Sequence, residues 1–377
     1  MLNNFLDNKP LYYDEIDYTR MPRIYQSIQS ALKIPKTIHL IGTNGKGTTG
    51  RFLASALHSL GYNTGHYTSP HILEFNERIW LNGNNIDNES LETAHQKLQT
   101  LLSEDDSNAL SYFEYTTLLA IILYQNCDFV VLEAGLGGEH DATAVFPKEL
   151  TLVTPIGLDH EAFLGSSLKD IATTKLNAIQ KNAILASQTS DEIYEIALNR
   201  DATIYKVDQL LEDEDFEKIE QIAKNLQLVK YLKENLKLSI SALKFFGLQY
   251  KINNFDNARL FGRLSKFKEN IYVDVGHNTL AASSILQALS GEKYILIYNT
   301  YKDKNYKQIL QILKPIIDRV EIISVDEQRI ENREKLQKSL NELEIQYSTF
   351  KEIDKNQSYL VFGSFSVVES FLKVYDE

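Results

Sequence analysis

Ile38-His-Leu-Ile-Gly-Thr-Asn-Gly-Lys-Gly-Thr-Thr-Gly-Arg51 runs from an apolar stretch through a glycine-bracketed lysine into a helical pattern. Thr37 to Ile41 reads as a buried strand, and Gly42, Gly45 and Gly47 let the following backbone turn tightly and approach a ligand closely. Phe52, Leu53, Ala56, Leu57 and Leu60 then mark the apolar side of a helix that Gly61 closes. The N-terminus of that helix aims a positive dipole end at an anion. Thr43, Asn44, Gly45, Lys46, Gly47 and Thr48 are therefore candidate nucleotide contacts: their amides can face phosphate oxygens and Lys46 supplies a mobile charge for the outer phosphates. Thr48 or Thr49 offers a hydroxyl for magnesium. The spacing departs from the usual phosphate-loop pattern, because the first glycine stands too close to Gly45 and Gly47 separates the lysine from the hydroxyl residues. An ordinary glycine turn is the competing reading.

The length of 377 residues exceeds that of a usual single domain, so two domains with separate cores are expected. Lysine plus arginine (39) against aspartate plus glutamate (51) gives a net charge of −12, which argues against nucleic acid or an anionic membrane surface as partner. The single Cys127 rules out an internal disulfide framework. Met1-Leu-Asn-Asn-Phe-Leu-Asp7 has neither a basic start nor an apolar signal core, and no uncharged apolar run reaches the roughly 18 residues that span a bilayer. A cytoplasmic location is the expectation.

Strand-like runs alternate with helical segments at Ile38 to Ile41, Phe129 to Leu132, Leu152 to Val153, Ala183 to Ala186, Ile271 to Val273, Tyr294 to Tyr298, Val320 to Val325 and Tyr359 to Phe362. The alternation predicts an α/β protein with parallel sheets covered by helices on both faces. A helical, charged region from Asp208 to Phe246 and the polar Lys251-Ile-Asn-Asn-Phe-Asp-Asn257 separate the two groups. The expected domains are residues 1–257, a phosphate-loop ATPase domain, and residues 258–377, a smaller Rossmann-like α/β domain. Sheets of this type bind ligands beyond the carboxyl ends of their strands, so polar residues just after strands carry the most weight.

Four such places stand out. Thr68-Ser-Pro-His71 follows Asn63 to Tyr67, and Ser69 can give magnesium an oxygen or simply occupy a turn fixed by Pro70. Asp128-Phe-Val-Val-Leu-Glu-Ala-Gly-Leu-Gly-Gly138 sets Glu133 at the end of a buried strand, where nucleotide sites hold their metal; a solvated strand end is the alternative. Thr154-Pro-Ile-Gly-Leu-Asp-His160 adds Asp159 and His160 after another strand. Tyr272-Val-Asp-Val-Gly-His-Asn278 ends a strand in the second half, with Phe261-Gly-Arg263 before it; Arg263 suits a phosphate and Asp274 a ribose or base, or the two form an ion pair. Lys175, on an apparent helix in Ile171-Ala-Thr-Thr-Lys-Leu-Asn-Ala-Ile179, reads from its residues alone as a solvated lysine.

Together these residues resemble folylpolyglutamate synthase and dihydrofolate synthase, members of the Mur ligase superfamily. The resemblance rests on Gly42-Thr-Asn-Gly-Lys-Gly-Thr48, Tyr67-Thr-Ser-Pro-His71 with Asn76-Glu-Arg-Ile79, and Glu133-Ala-Gly-Leu-Gly-Gly138 with Asp141-Ala-Thr143. It extends through Gly157-Leu-Asp-His160, Asp274 to Asn278, Lys302-Asp-Lys304 and Gly363-Ser-Phe365. It implies an ATP-dependent, amide-forming ligase that adds L-glutamate to dihydropteroate, to a folate, or to both, through an acyl phosphate. A monomer with small-molecule substrates is the expectation. Lys46 and its loop would hold the ATP phosphates, while Asn235, Arg263 and Asp274 match further nucleotide contacts. Ser69, Glu133 and His160 match magnesium ligands, and Lys175 matches a lysine that carbon dioxide carbamylates, helping to place a second metal ion. Leu110, Ser111, Tyr112 and Phe113, with His140, Asp141 and Ala142, fall where the family holds the pterin; His277 and Ser364 are candidates near the incoming glutamate.

The sequence also departs from the family pattern. Glu139 stands where an arginine is usual after the paired glycines, and Ala144 where asparagine is. Thr174 replaces the glutamate before the modified lysine, and Leu176 and Asn177 replace an alanine-glycine pair after it. Thr279 replaces a proline common after Asn278. A phosphate-loop kinase explains Lys46 and Glu133 but leaves the second domain without a role. A nucleotide-gated binding protein without synthetic activity is the third reading, favoured by the departures at Glu139 and around Lys175.

Overall fold

A computed structural model describes residues 1–10 and 17–376. The chain divides into two compact units, Met1–Arg259 and Leu260–Glu377. In the first unit the described strands are β1 (Lys36–Ile41), β2 (Thr64–Tyr67), β3 (Ile79–Leu81), β4 (Asn84–Asn85), β5 (Phe129–Glu133), β6 (Leu150–Val153), β7 (Asn182–Leu185) and β8 (Thr203–Lys206). They form an eight-stranded sheet in the order β4-β3-β2-β5-β1-β6-β7-β8. β2, β5, β1, β6, β7 and β8 run parallel, and β3 and β4 turn back antiparallel at one edge. The central strands β1, β5 and β6 are buried along nearly their whole length because helices cover both faces.

The helices that matter here are α1 (Lys46–Ser59), α2 (Tyr112–Tyr124), α3 (Leu168–Leu176), α4 (Asp191–Leu198) and α5 (Lys230–Phe245). On one face Phe52, Leu53, Ala56 and Leu57 of α1 pack with Leu236, Ile240 and Leu243 of α5 over β1, β5 and β6. On the other, Leu118, Leu119 and Ile122 of α2 cover Tyr67, Val130 and Leu132, while Ile171, Ala172 and Leu176 of α3 cover Val153 and Leu185. At its far end α1 stops at Gly61, where the amides of Gly61 and Tyr62 bond back to the carbonyls of His58 and Leu57.

In the second unit β9 (Ser265–Lys268), β10 (Ile271–Val273), β11 (Tyr294–Tyr298), β12 (Ile317–Ile322), β13 (Tyr347–Thr349) and β14 (Tyr359–Phe362) form a six-stranded sheet in the order β13-β12-β11-β14-β10-β9. Only β9 pairs antiparallel. Helix α6 (Phe365–Asp376) follows β14. The strand expected over Val320 to Val325 lies three residues earlier, because its first half includes the polar Asp318, skipped at a break in register, and Arg319, paired with Ile295 of β11. No helix among the described residues is long and apolar enough to cross a membrane.

Candidate active site

Because β2, β5, β1 and β6 are neighbours and parallel, the residues that leave them meet along one sheet edge. These are Thr68 and Ser69 after β2, Glu133 closing β5, Gly42 after β1 and Thr154 after β6. Beyond β1 the chain is pinned sideways: the amides of Thr43 and Asn44 donate to the Pro155 carbonyl at 3.0 and 3.4 Å, and the Thr43 hydroxyl lies 3.0 Å from both the carbonyl and the amide of Gly157. Those two amides are thereby committed within the protein, and the anion-facing donors are the ones that follow, since the first amides of a helix have no intrahelical acceptor. Gly45 caps α1 at φ +92°. A methyl group there would come within 2.5 Å of Asn235 Oδ1, so α5 presses its amide on the loop. The Ser239 hydroxyl donates to the Thr49 carbonyl at 2.8 Å and ties α5 to α1. The hydroxyls of Thr48 and Thr49 are buried without a partner.

Two lysines converge on one carbonyl oxygen. Lys46 Nζ donates to the carbonyls of Gly42 and Thr43, each at 3.2 Å, and lies 3.9 Å from Glu133 Oε1. Lys175 Nζ, on α3, donates to the same Gly42 carbonyl at 3.1 Å. Lys175 is 4% exposed, which corrects its reading as a solvated lysine. Burial above all, then repulsion from Lys46, pushes its pKa down to about 7, against a smaller upward pull from Asp159 and Asp141. Glu133 is held in turn by the Thr68 hydroxyl and, at 3.3 Å, by the Ser69 amide. No group of three or more His, Cys, Asp or Glu gathers into a metal cluster among the described residues. The hard oxygens available at the loop are the Glu133 carboxylate and the hydroxyls of Thr48 and Ser69, a set that fits a magnesium ion sharing its sphere with phosphates and water.

Asp141 supports the glycine-rich loop after Glu133. Its buried carboxylate accepts the amides of Gly135, Leu136 and Thr143, each at 2.9 Å, and the Thr143 hydroxyl at 2.5 Å. That hydroxyl also meets His39 Nε2 at 2.8 Å, and burial first, with Lys148 second, keeps the His39 ring neutral. Sequence reasoning quoted Thr68 and Thr143 within motifs but gave them no role, and it missed His39, marked only by being a polar residue inside a buried strand. Glu77 and Arg78, quoted in the same way without a role, are structural: Glu77 accepts the amides of Ile72, Leu73 and Glu74, and Arg78 Nε donates to His71 Nδ1 at 2.7 Å.

The remaining candidates are placed as follows. His160 takes φ +54° ahead of the short helix Glu161–Leu164, with its amide on Asp159 Oδ1 at 2.9 Å. Leu110 is fully buried in the apolar core, and Ser111 caps α2 in a reciprocal pair with Glu114. Tyr112 lies under the Arg78 guanidinium at 5.2 Å, and Phe113 presses on Gly135. The His140 ring is 4.3 Å from that of Tyr18, and Ala142 is buried at the start of a short 3₁₀ turn. In the second unit Asp274 accepts the amides of Leu264 and Gly276, both at 2.7 Å, closing the turn at Arg263. Arg263 lies 5.2 Å over the Phe365 ring, His277 Nδ1 is 3.1 Å from the Val275 carbonyl, and the buried Ser364 hydroxyl accepts the Val367 amide at the start of α6.

No family model matches the chain. A dihydrofolate synthase/folylpolyglutamate synthase of Buchnera aphidicola subsp. Acyrthosiphon pisum is 30% identical over 370 residues, 88% of this chain and 88% of that protein. The crystal structure of Helicobacter pylori folylpolyglutamate synthetase matches with a TM-score of 0.79 and 38% identity, covering 100% of this chain and 98% of that one. The fold is shared with a bifunctional folylpolyglutamate synthase/dihydrofolate synthase from Yersinia pestis complexed with AMPPNP and Mn ion, at TM-score 0.83, 22% identity and coverage of 99% and 96%. On this similarity and on the strand-end site described above, the chain belongs to the dihydrofolate synthase/folylpolyglutamate synthase family of ATP-dependent glutamate ligases.

Proposed function

We propose that the chain transfers the γ-phosphoryl group of ATP to a carboxylate of dihydropteroate or of a folate, and that the amino group of L-glutamate then captures the acyl phosphate. The products are an amide, ADP and phosphate. The observation that carries this reading is the meeting of the N-terminus of α1, Lys46, Lys175 and Glu133 at one strand edge. Two anions must approach each other in the first step, and Lys46 beside the helix terminus offsets the charge they gather. No side-chain nucleophile is required.

Glu133, Thr48 and Ser69 would hold magnesium, with His160 as a further candidate ligand; when bound, the ion supplies charge neutralisation at the phosphates. The orphaned Thr48 hydroxyl supports this assignment, and the Yersinia pestis protein is complexed with AMPPNP and Mn ion. A lysine pushed to about 7 is an unprotonated amine in about half of the molecules at neutral pH, against almost none at its ordinary value. Its lone pair can attack carbon dioxide and, losing a proton, give a carbamate that adds a negative ligand for a second ion. Asn235, pressed against Gly45, is retained as a nucleotide contact, and Arg263 and Asp274 are retained on the resemblance. A cytoplasmic location and a monomeric state remain our expectations, the former supported by the single Cys127, which is buried and free.

The test is purified protein with ATP, magnesium, L-glutamate and either dihydropteroate or tetrahydrofolate, following phosphate release and product mass. Phosphate release that depends on glutamate, with a product heavier by one glutamyl residue, is expected. A stable phosphorylated product would move the assignment to the kinase class, and absence of turnover with tight ATP binding to the binding-protein class. For the carbamate, Lys175→Ala should lose activity and regain part of it with short carboxylic acids.

A further inference from the structure

We propose that Glu139, Asn177 and Arg200 form a latch that fixes the helix carrying Lys175 to the loop leaving Glu133, which makes Glu139 and Asn177 positioning residues for that lysine. Asn177 directly follows α3, and its side-chain amide is used at both ends. Nδ2 donates to Glu139 Oε2 at 2.6 Å, and Oδ1 accepts from Arg200 Nη1 at 2.8 Å. A guanidinium only donates and a carboxylate only accepts, so the two partners also dictate which way the amide points.

The backbone repeats the connection. The Glu139 amide donates to the Thr174 carbonyl at 3.1 Å, one of the last carbonyls of α3 that lack an intrahelical donor. Gly138 approaches so closely that a methyl group there would stand 2.5 Å from the Lys175 carbonyl oxygen and 2.9 Å from its Cα. Arg200 extends the latch to the segment after α4, with its own amide bonded to the Ala197 carbonyl at 3.0 Å. Asp141 anchors the inner side of the same loop through Gly135 and Leu136. The loop is thus clamped on both sides, and the clamp sets the span between Glu133 at its start and Lys175 on α3.

The inference rests on the role proposed for Lys175, and the experiment separates the two. Turnover is measured for Glu139→Ala, Asn177→Ala, the double variant, Glu139→Gln and Lys175→Ala, together with hydrogen exchange across Leu168–Leu176. Displacement of a reacting group by a fraction of an ångström to an ångström lowers kcat on the order of tenfold or more, so each alanine variant is expected to lose about tenfold in kcat with the KM for ATP changed less than about twofold. Glu139→Gln keeps an acceptor for Asn177 and is expected to recover most of the loss. The double variant is expected to be no slower than the worse single one, because both break one unit. Exchange across α3 should rise in the alanine variants. Wild-type kcat in either alanine variant, or losses that multiply in the double, overturns the latch while leaving an inactive Lys175→Ala to support the lysine. Full activity in Lys175→Ala overturns the lysine's role and the positioning role with it, and unchanged exchange across α3 in Asn177→Ala overturns the latch outright.

Discussion

Replacing Lys175 with methionine should silence the chain and stabilise it at the same time. The amine has an ordinary value of 10.5 and is pushed to about 7 by burial and then by Lys46. Between those two values the unfolded chain holds a proton that the folded chain does not, so the folded state gains stability as pH rises through this window and is penalised most below about pH 7. The gap from 10.5 to about 7, at about 1.36 kcal/mol per pH unit, sets a ceiling of about 5 kcal/mol on the penalty, of which about 4 kcal/mol is felt near pH 7.5. Methionine is unbranched and of similar length, so it removes the penalty while filling the site. Loss of the bond to the Gly42 carbonyl returns about 1 kcal/mol, leaving a net stabilisation of about 3 kcal/mol. The assay is urea unfolding in carbon dioxide-free buffer followed by the fluorescence of Trp80, the sole tryptophan, which is buried on β3 in the first unit. Near pH 7.5 the variant should unfold at the higher urea concentration, and by about pH 10.5 the difference should vanish or reverse. A variant that is less stable at neutral pH, or a difference that does not change with pH, refutes the account of a forcibly neutral lysine. Bicarbonate should stabilise the wild-type chain and leave the variant unmoved.

Lys46→Ala should lower glutamate-dependent phosphate release on the order of 10² to 10³, because it removes a preorganised cation from the charge gathered in transfer; an undiminished rate counts against that role. Gly45→Ala places a side chain at φ +92° against Asn235, costing roughly 1–2 kcal/mol, and calorimetry should find weakened ATP binding. Asp141→Ala leaves the amides of Gly135, Leu136 and Thr143 short of an acceptor and should cost about 2–4 kcal/mol in Trp80-monitored unfolding; a loss under about 0.5 kcal/mol would mean that the loop holds its shape without the carboxylate.

The parts of the fold that could be read in advance are those buried on two faces. β5, β11 and β14 are near-continuous apolar or aromatic runs, and β1 buries Ile38, Leu40 and Ile41 around Thr37 and His39, because helices or neighbouring strands cover every side. β4, β8 and β9 carry exposed polar residues such as Asn84, Thr203 and Lys266, and their pairing is decided by the neighbouring strand rather than by their own pattern. The phosphate loop was legible because its glycines, lysine and helix are contiguous in sequence. Lys175 was misread although the signal was there: Leu168, Ile171, Ala172, Lys175 and Leu176 fall on one helical stripe, so the lysine belongs to the apolar face of α3. What could not be read is the joining of distant segments. Nothing local links Asn177 to Glu139, Asn235 to Gly45 or His39 to Thr143, and each pair meets only once the parallel strands have set their carboxyl ends side by side.

The central claim is that a substrate carboxylate becomes an acyl phosphate before the amine arrives. Dihydropteroate or tetrahydrofolate labelled with oxygen-18 in the reacting carboxyl tests it directly, with the released phosphate read by mass spectrometry. The account predicts one substrate oxygen in every phosphate formed with product, since the carbon–oxygen bond of the acyl phosphate is the one the amine breaks. Phosphate that carries no label while the amide accumulates would contradict it.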